Sequence, residues 1–299
     1  MLSIDHLTKR YGAITAVDDV SFSIAAGEIF GLIGPDGSGK TTIMRILCGL
    51  LSFEQGFCSI FDFDIEKEIG SVREIIGYMP QRFSLYPDLT VAENLRFFAD
   101  LFQVGRTERQ QRMTRLMAFS RLGPFQDRRA EDLSGGMKQK LALSCTLIHT
   151  PKLLILDEPT TGVDPVSRRD FWTILNELKN QGVTLLVSTA YMDEAGSCDR
   201  VAFLHQGRIL SVDYPENIAG HFSHDLYEIE GENLYDIYVK LKSRPNVITS
   251  QLFGDKIHIA LKKGADTGDL TTELAGRGSF EKIEPGIEDL FYELIREKG

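Results

Sequence analysis

A glycine-rich segment near the start of the chain has the residue types that bind phosphate. It reads Gly34-Pro35-Asp36-Gly37-Ser38-Gly39-Lys40-Thr41, followed by Thr42, and matches the pattern G-x-x-x-x-G-K-[ST]. Glycines let backbone N–H groups turn towards phosphate oxygens, a helix start adds positive potential, and lysine adds a mobile cation. The threonine hydroxyl can ligate Mg²⁺. The segment therefore predicts a nucleotide site, and a chance match has a probability on the order of 1%.

Two carboxylates end an apolar run later in the chain. Leu153 to Leu156 is continuously apolar, as in a buried strand, and Asp157 and Glu158 follow it directly. Asp157 is predicted to hold Mg²⁺, and Glu158 to orient or deprotonate a water that attacks the γ-phosphate. Such a pair alone is more often a strand end that meets solvent, but the phosphate-binding segment reverses that preference.

A second glycine-containing turn lies between these two segments. It reads Leu133-Ser134-Gly135-Gly136-Met137-Lys138-Gln139 and opens a helical pattern. Free backbone N–H groups at a helix start attract anions, so this turn is a second candidate anion site.

Together these segments resemble the nucleotide-binding subunit of an ATP-binding cassette (ABC) transporter, of the multidrug and antibiotic export (ABC-2) type. The resemblance covers residues 2 to about 215, with the motifs in the family's order. They are Tyr11, Gly34 to Thr42, Gln81 within Gly77-Tyr78-Met79-Pro80-Gln81, Leu133 to Gln139, Leu153 to Glu158, and Thr161-Gly162-Val163-Asp164-Pro165. The resemblance implies ATP hydrolysis with ATP and Mg²⁺ as cofactors.

The resemblance also implies a role for each matching residue. Two cassettes would close head to tail over two ATP molecules, each bound between one chain's phosphate loop and the other chain's signature turn. The signature residues are Ser134, Gly135, Gly136 and Gln139, of which Ser134 and Gly136 would contact the γ-phosphate. Tyr11 would stack on adenine, although an exposed tyrosine in a turn is the alternative, and Asp164 would link the two sites. Thr41, Gln81 and Asp157 form the implied Mg²⁺ set, and Gln81 would also sense the attacking water.

The loop after Gln81 would face membrane subunits. It contains Phe83, Leu85 and Tyr86, and packing against the neighbouring helical region is an equally weighted alternative.

One position departs from the family pattern. After a strand such as Val183 to Val187 the family has Ser/Thr-Thr-His, whereas this chain has Ser188-Thr189-Ala190. A methyl group can neither donate a hydrogen bond to phosphate nor carry charge, so one electrostatic contribution to the transition state is missing. Tyr191 is expected to point to the opposite side if strand geometry continues. We therefore hypothesise that this chain pairs with a histidine-containing ATPase subunit, lends it an intact signature, and itself hydrolyses ATP slowly.

Smaller differences concern charge and subclass. Asp36 stands where the family commonly has Asn, which adds negative charge near phosphate unless the carboxylate points away. The signature contains Met137-Lys138-Gln139 in place of a single glutamine, as in drug and antibiotic exporters. The same group often ends near Pro-x-Leu/Ile-Glu-Asp-x-Phe, and Pro285 to Phe291 reads Pro-Gly-Ile-Glu-Asp-Leu-Phe. The direction of transport rests on this likeness.

Hydrophobic spacing predicts the elements that position these residues. Alternation over Val20 to Ile24 predicts a strand, and Glu28 to Ile33 predicts a buried strand that leads into the glycine-rich segment. Apolar spacing up to Leu50 then predicts a helix. Val91 to Leu122 is helical in pattern, and Leu153 to Leu156 and Val183 to Val187 are apolar strands separated by a helix. Such strands predict a parallel sheet covered on both faces.

After Pro215 the pattern changes to β-α-β-β-α-β, the ferredoxin-like order, with a last helix at its end. The predicted fold class is α/β, a P-loop NTPase of the ABC type followed by a small α+β domain. The resemblance implies a RecA-like parallel core, an antiparallel β subdomain and a helical signature subdomain. We expect the cassette over residues 1–218, its helical part over about 88–150, and the second domain over 219–299.

Composition limits the partners. The chain has 43 acidic and 33 basic residues, a net charge of −10, which disfavours nucleic acid and anionic lipid as main partners. Its four cysteines include no CxxC pair, and its histidines lack metal-ligand spacing. No apolar run is long enough to cross a bilayer. We expect a cytoplasmic protein, peripheral on the cytoplasmic membrane face, bound through multi-span subunits without direct lipid anchoring.

The leading interpretation is thus the ATP-hydrolysing subunit of an exporter, working with separate membrane subunits and a second ABC ATPase subunit, identical or different. One alternative is a regulatory nucleotide-binding module without meaningful turnover, which Ala190 favours and Glu158 opposes. Another is a soluble cassette ATPase that acts on ribosomes or DNA, which the acidic charge and the single cassette disfavour.

Overall fold

The computed structural model describes residues 1–82, 85–217, 220, 222–274 and 278–298. The chain divides into two compact units, Met1–Val212 and Asp213–Gly299. The boundary expected between residues 218 and 219 lies outside the described residues. Each unit is built around its own sheets and is described by itself.

The first unit contains one antiparallel and one largely parallel sheet. The antiparallel sheet has the order β2-β1-β4-β5. Its strands are β1 (Leu2–Tyr11), β2 (Ile14–Ile24), β4 (Gln55–Ile60) and β5 (Phe63–Asp64). Alternation in the sequence predicts only β2, because the registers of β1 with β2 and with β4 are interrupted by irregularities that break the period of two.

The second sheet brings the chemical motifs to one edge. Its strands are β3 (Ile29–Ile33), β6 (Ile76–Met79), β7 (Leu153–Asp157), β8 (Thr184–Thr189), β9 (Arg200–His205) and β10 (Arg208–Asp213). The order is β10-β9-β3-β8-β7-β6, and the five strands from β9 to β6 run parallel to one another. Since parallel strands end at the same edge, the segments that follow β3, β6, β7 and β8 lie together.

The first unit also contains six α-helices among its described residues. They are α1 (Lys40–Leu47), α2 (Ile69–Ile75), α3 (Val91–Leu101), α4 (Arg106–Phe119), α5 (Gly135–Leu147) and α6 (Pro165–Asn180). The helical pattern from Val91 to Leu122 is two helices, because the chain turns at Gln103, which has φ 55°. Helix α1 ends before Leu50, contrary to the predicted spacing, because Gly49 takes φ 64°; Leu50 is 55% exposed.

Apolar residues of both sheets and of α1 form a continuous core. β3, β7 and β8 are buried along their whole length, as their uninterrupted apolar runs predict. The side chains of Leu2, Ile4, Phe30, Ile43 and Leu47 are among those in this core. Burial on this scale, at about 25 cal/mol per Å² of apolar surface, holds the edge of the sheet in place.

The second unit has the β-α-β-β-α-β order that the sequence predicts. Its elements are β11 (Asp225–Gly231), α7 (Leu234–Lys242), β12 (Val247–Phe253), β13 (Lys256–Leu261), α8 (Gly268–Leu274), β14 (Gly278–Lys282) and α9 (Ile287–Lys298). The antiparallel sheet has the order β12-β13-β11-β14, in which the first and third strands are central. Its core includes Ile229, Leu241, Ile257 and Ile259.

None of the helices in the described parts of the chain is long and apolar enough to cross a membrane.

Candidate functional site

The glycine-rich loop joins the end of β3 to α1, as the sequence predicts. Gly39 precedes α1 with φ 111°, and a Cβ there would lie 2.5 Å from the Ala16 carbonyl oxygen. At Gly34 a Cβ would lie 2.1 Å from the Leu204 carbonyl oxygen. Both glycines are therefore required by close backbone approach, and at Gly39 also by the left-handed conformation. The loop is a tight cradle next to the first turn of α1, where backbone N–H groups are free to bind an anion.

Lys40 points back into this cradle. Its Nζ donates to the carbonyl oxygens of Gly34 at 2.8 Å and Pro35 at 3.0 Å. The same nitrogen lies 3.1 Å from Glu158 Oε1, and both side chains are less than a tenth exposed. The cation and the candidate base are thus in direct contact, which compensates the burial of both charges.

Glu158 is held from several sides. Gln81 Nε2 donates to Glu158 Oε2 at 2.8 Å, and Thr161 Oγ1 lies 3.3 Å from the same oxygen. Glu158 itself takes φ 48°, a left-handed conformation that is uncommon outside glycine. This turn directs its side chain towards Lys40 and Gln81. Backbone strain of this kind is typical of functional sites.

Asp157 has a free oxygen beside Thr41. Asp157 Oδ1 accepts from Thr41 Oγ1 at 3.0 Å and from Ser188 Oγ at 2.8 Å. Its Oδ2 is buried and has no hydrogen-bond partner. Burial raises the pKa of Asp157, although the hydrogen bonds from Ser188 and Thr41 oppose the shift. A buried carboxylate oxygen without a partner, next to a hydroxyl, fits the all-oxygen environment that Mg²⁺ prefers.

Ala190 directly follows β8, at the same edge of the sheet. The Tyr191 ring packs against Arg168, whose guanidinium carbon lies 4.2 Å from the centre of the ring. Tyr191 N also donates to Thr189 Oγ1 at 3.0 Å.

The other residues predicted to bind nucleotide lie at the end of β1, in the glycine-rich loop and at the start of α1. Tyr11 ends β1 and is 47% exposed, with Lys9 Nζ 5.5 Å from the centre of its ring. Asp36 and Gly37 are exposed, whereas Ser38 is 2% exposed and its Oγ has no partner. Thr42 lies within α1.

The signature turn faces outward. Ser134 is exposed and caps α5, since its Oγ accepts from Met137 N at 3.4 Å. Gly135 is exposed as well, whereas Gly136 is buried. A Cβ on Gly136 would lie 2.6 Å from Ser167 Cβ, so glycine there allows the start of α5 to approach α6.

Asp164 caps α6 next to this turn. Its Oδ1 accepts from the Ser167 backbone N–H at 2.9 Å. A hydrogen bond from the Ser167 side chain, followed by this backbone hydrogen bond, lowers the pKa of the exposed carboxyl. The signature turn and Asp164 therefore lie side by side on one exposed surface, at the adjacent starts of α5 and α6. Across the residues that the structure describes, no hydrogen bond or ion pair joins Ser134 or Asp164 to Lys40, Asp157 or Glu158.

The loop after Gln81 is only partly described, and Phe83 lies outside the described residues. Leu85, Gln81 and Gln139 line an open groove beside α5. Tyr86 is 43% exposed, and its ring centre lies 4.4 Å from that of Phe97 on α3. The loop thus combines an open groove with packing against the helical region.

The structure adds residues that the sequence does not single out for a role. Ser188 Oγ accepts from Glu158 N at 3.0 Å while it donates to Asp157, so it joins both carboxylate residues to β8. Thr161 contacts Glu158, as described above. A polar residue at the end of the neighbouring buried strand is the signal in the sequence for Ser188.

The cysteines and the single tryptophan are core residues. All four cysteines are free and buried, and burial raises the pKa of Cys58 to about 12. Trp172 is 6% exposed. In the described parts of the chain, no three or more His, Cys, Asp or Glu side chains come together in a group that could hold a metal ion; His221 lies outside them.

The sequence and the fold were compared with known proteins. The family model described as ABC transporter matches residues 17–161. The "Probable multidrug ABC transporter ATP-binding protein YbhF" of Escherichia coli (strain K12) is 40% identical over 307 residues, which cover 100% of this chain and 53% of that protein. This chain therefore spans about half the length of that relative.

A second relative is similar in length. The "Nod factor export ATP-binding protein I" of Paraburkholderia xenovorans (strain LB400) is 36% identical over 275 residues, covering 89% of this chain and 90% of that protein. Among solved structures, a dimeric ATP-binding cassette described as a post-hydrolysis state bound to ADP and Pi has a TM-score of 0.65. It is 27% identical, and the match covers 72% of this chain and 98% of that one.

Proposed function

This chain belongs to the ABC transporter family and carries an ATPase cassette of that family, and from this we propose that it powers an exporter by ATP-driven closure of two cassettes. The observation that carries the proposal is the contact of Glu158 with both Lys40 and Gln81 beside the glycine-rich cradle. A phosphate-binding cation and an amide thereby lie on either side of one carboxylate, the candidate base.

The reaction requires an ordered water and a stabilised phosphate. Lys40 and the N–H groups of the loop would bind the β- and γ-phosphates, and Tyr11 would stack on adenine. Glu158 would accept a proton from the attacking water or orient it, and Gln81 would hold Glu158 in place. Exposure of the Tyr11 ring leaves it free to stack.

Mg²⁺ would be held by Thr41, Asp157 and Gln81. The unpartnered buried Oδ2 of Asp157 supports the first two, and the amide oxygen of Gln81 is the end of that side chain that can bind a cation. When bound, Mg²⁺ supplies charge that neutralises the phosphate oxygens as the bond breaks.

A second cassette would complete each site. Ser134, Gly135, Gly136 and Gln139 lie at or near the start of α5, and the first two are exposed, so they can be presented to ATP on another chain. Asp164 lies on the same surface and would link the two sites. Head-to-tail pairing would complete both ATP sites, because each chain offers one cradle and one signature turn.

Ala190 makes the proposed assembly asymmetric. It leaves the edge of the sheet without a histidine donor to the γ-phosphate, and Tyr191 is held against Arg168 instead of replacing it. The chain's own site would therefore turn over slowly, while its intact signature completes the site of a second, histidine-containing subunit. The regulatory module without turnover remains the alternative that Ala190 favours.

Separate multi-span membrane subunits would receive the movement that accompanies closure of the two cassettes. The open groove beside α5 supports this, because Gln81 of the site and Leu85 both line it. We propose that the chain lies on the cytoplasmic face of the membrane through these partners. The alternative of a soluble cassette ATPase that acts on ribosomes or DNA is disfavoured by the net charge of −10.

Subunit complementation tests the dimer. Lys40→Ala disables the chain's own cradle, and Ser134→Arg blocks the signature that it offers to a partner. Each variant alone should hydrolyse ATP at a background rate. An equal mixture should recover part of the rate, because the cradle of one variant meets the intact signature of the other. No recovery, although each variant is folded and Ser134→Arg binds ATP, would contradict pairing between copies of this chain.

A further inference from the structure

Segments that carry the site converge on one buried carboxylate. Glu194 lies in the helical turn Met192–Ser197 that follows β8, and it is 3% exposed. Thr160, two residues after Glu158, donates from Oγ1 to Glu194 Oε1 at 2.7 Å. Arg168, in the first turn of α6 after Asp164, has Nε 3.8 Å from the same oxygen. Glu194 thus touches both the carboxylate turn and the helix that Asp164 begins.

Arg168 also contacts the segment that follows Ala190. Its guanidinium carbon lies 4.2 Å from the centre of the Tyr191 ring, within the range of a cation–π interaction. Its Nη1 lies 3.5 Å from Asp193 Oδ2. The Arg168 side chain is 19% exposed, whereas that of Asp193 is 75% exposed, so the ion pair with Asp193 is screened by solvent. The side chain of Glu194, by contrast, is only 2% exposed.

The pair of Arg168 and Glu194 is close but incomplete. Arg168 Nε and Glu194 Oε2 are both buried, and neither has a hydrogen-bond partner. A separation of 3.8 Å between Nε and Oε1 exceeds hydrogen-bonding distance, which ends near about 3.2 Å. An unpaired buried donor and an unpaired buried acceptor are each unfavourable. A shift of α6 by roughly one ångström towards Glu194 would bring Arg168 Nε within hydrogen-bonding distance of Glu194 Oε1 and form a charge-assisted hydrogen bond.

We propose that Arg168 is a positioning residue for ATP hydrolysis, which completes its hydrogen bond to Glu194 when two cassettes close on ATP. Movement of Asp164 in the dimer is then transmitted along the first turn of α6 to Glu194. From there it reaches the Glu158–Thr160 turn through the Thr160 hydroxyl. The inference rests on the proposed closure of two cassettes, and it is independent of the role given to Ala190.

Steady-state ATP hydrolysis by the full chain tests this. Arg168→Met keeps the length of the side chain and removes both donor and charge. The matched control is Arg169→Met, because Arg169 is the adjacent exposed arginine on the same helix. We expect kcat to fall about tenfold in Arg168→Met, the effect of one hydrogen bond to a charged group. The KM for ATP and the Kd for ADP should stay within about twofold, and Arg169→Met should match the unmodified chain.

Three more variants separate positioning from general stability. Arg168→Lys keeps the charge and one donor, so it should recover part of the lost kcat. Glu194→Gln should lower kcat as well. The kcat of the double variant Arg168→Met/Glu194→Gln should be no lower than that of the more impaired single variant, because both substitutions act through one bond.

Equal kcat values for Arg168→Met and Arg169→Met would overturn the proposal. So would losses in the two single variants that multiply in the double variant, or a fall in kcat matched by equal loss of ADP affinity and of melting temperature. Failure of the closure itself would give a different result, since mixtures of Lys40→Ala and Ser134→Arg would then recover nothing. Failure of the Arg168 proposal alone would leave that recovery intact and give equal kcat values for Arg168→Met and Arg169→Met.

Discussion

At the scale of single residues, one carboxylate connects the parts of the site. Glu158 contacts Lys40 through one oxygen and Gln81 through the other, so cradle, base and loop form a bonded set. The residue types were predictable, because the carboxylates after a buried strand occur together with a cation in a glycine-rich loop. The bridging role of Ser188 was not, because it depends on β8 lying beside β7, which no local pattern reports.

Removal of the Glu158 charge tests its role as the base. Glu158→Gln keeps the shape and the contact with Gln81 but cannot accept a proton, so ATP turnover should fall at least about a hundredfold. ATP binding should persist, because the cradle is unchanged. Hydrolysis and equilibrium binding of ATP measure the two effects. Glu177→Gln, on the exposed side of α6, is the matched control and should leave both unchanged.

At the scale of elements, buried strands were predicted well and the antiparallel sheet poorly. β3, β7 and β8 are buried along their length, so their residues form uninterrupted apolar runs. β1 shows no clean alternation, because its pairing with β2 shifts register between Ile4 and Arg10. The break between α3 and α4 was missed for a related reason, since Gln103 supports the turn with a left-handed conformation that its residue type does not announce.

The contact of α5 with α6 depends on Gly136. Gly136→Ala would place a Cβ 2.6 Å from Ser167 Cβ, so the helices must separate. We expect a destabilisation of about 1–3 kcal/mol, measured as a lower free energy of unfolding in urea. Gly135→Ala is the matched control, because a Cβ there meets only the Gly162 carbonyl oxygen at 3.7 Å. Equal unfolding energies for the two variants would contradict this account of the glycine.

In the second unit, His258 should make the attachment of α9 depend on pH. His258 Nδ1 lies 2.8 Å from Asp289 Oδ1 on α9, and Nε2 lies 3.2 Å from Glu228 Oε2 on β11. Burial lowers the pKa of His258, but the hydrogen bonds and charges of Asp289 and Glu228 outweigh it, so the pKa is raised above 6.5. Lys256 is the neighbouring cation, 3.0 Å from Glu228.

The sign of the pH effect follows from this raised pKa. The stabilisation should be complete below the ordinary pKa of 6.5 and lost as pH rises through the higher folded value. His258→Gln should therefore destabilise the unit by about 1 kcal/mol at pH 6 and by less at pH 9. Hydrogen exchange of the α9 amides measures this, with His149→Gln in the first unit as the control. A loss that is the same at both pH values would contradict the titration.

At the scale of the whole molecule, the proposed mechanism assigns to this chain half of each composite site. Its cradle and the residues proposed as base and Mg²⁺ ligands lie together. Ser134 and Asp164 are exposed at the adjacent starts of α5 and α6. The sequence predicted this division through the resemblance, and the geometry explains why one chain is insufficient for the proposed mechanism. In the proposed assembly, Ala190 makes the two sites unequal, because it stands where the family pattern has a histidine that contacts the γ-phosphate.

ATP turnover of Ala190→His beside the unmodified chain tests the central claim most directly. If the missing donor limits hydrolysis at this site, the unmodified chain should be slow and Ala190→His should raise kcat by at least about tenfold. The gain should disappear when Glu158→Gln is added, because it acts on the same chemical step. An unmodified chain that already turns over rapidly, and gains nothing from Ala190→His, would contradict the asymmetric assembly.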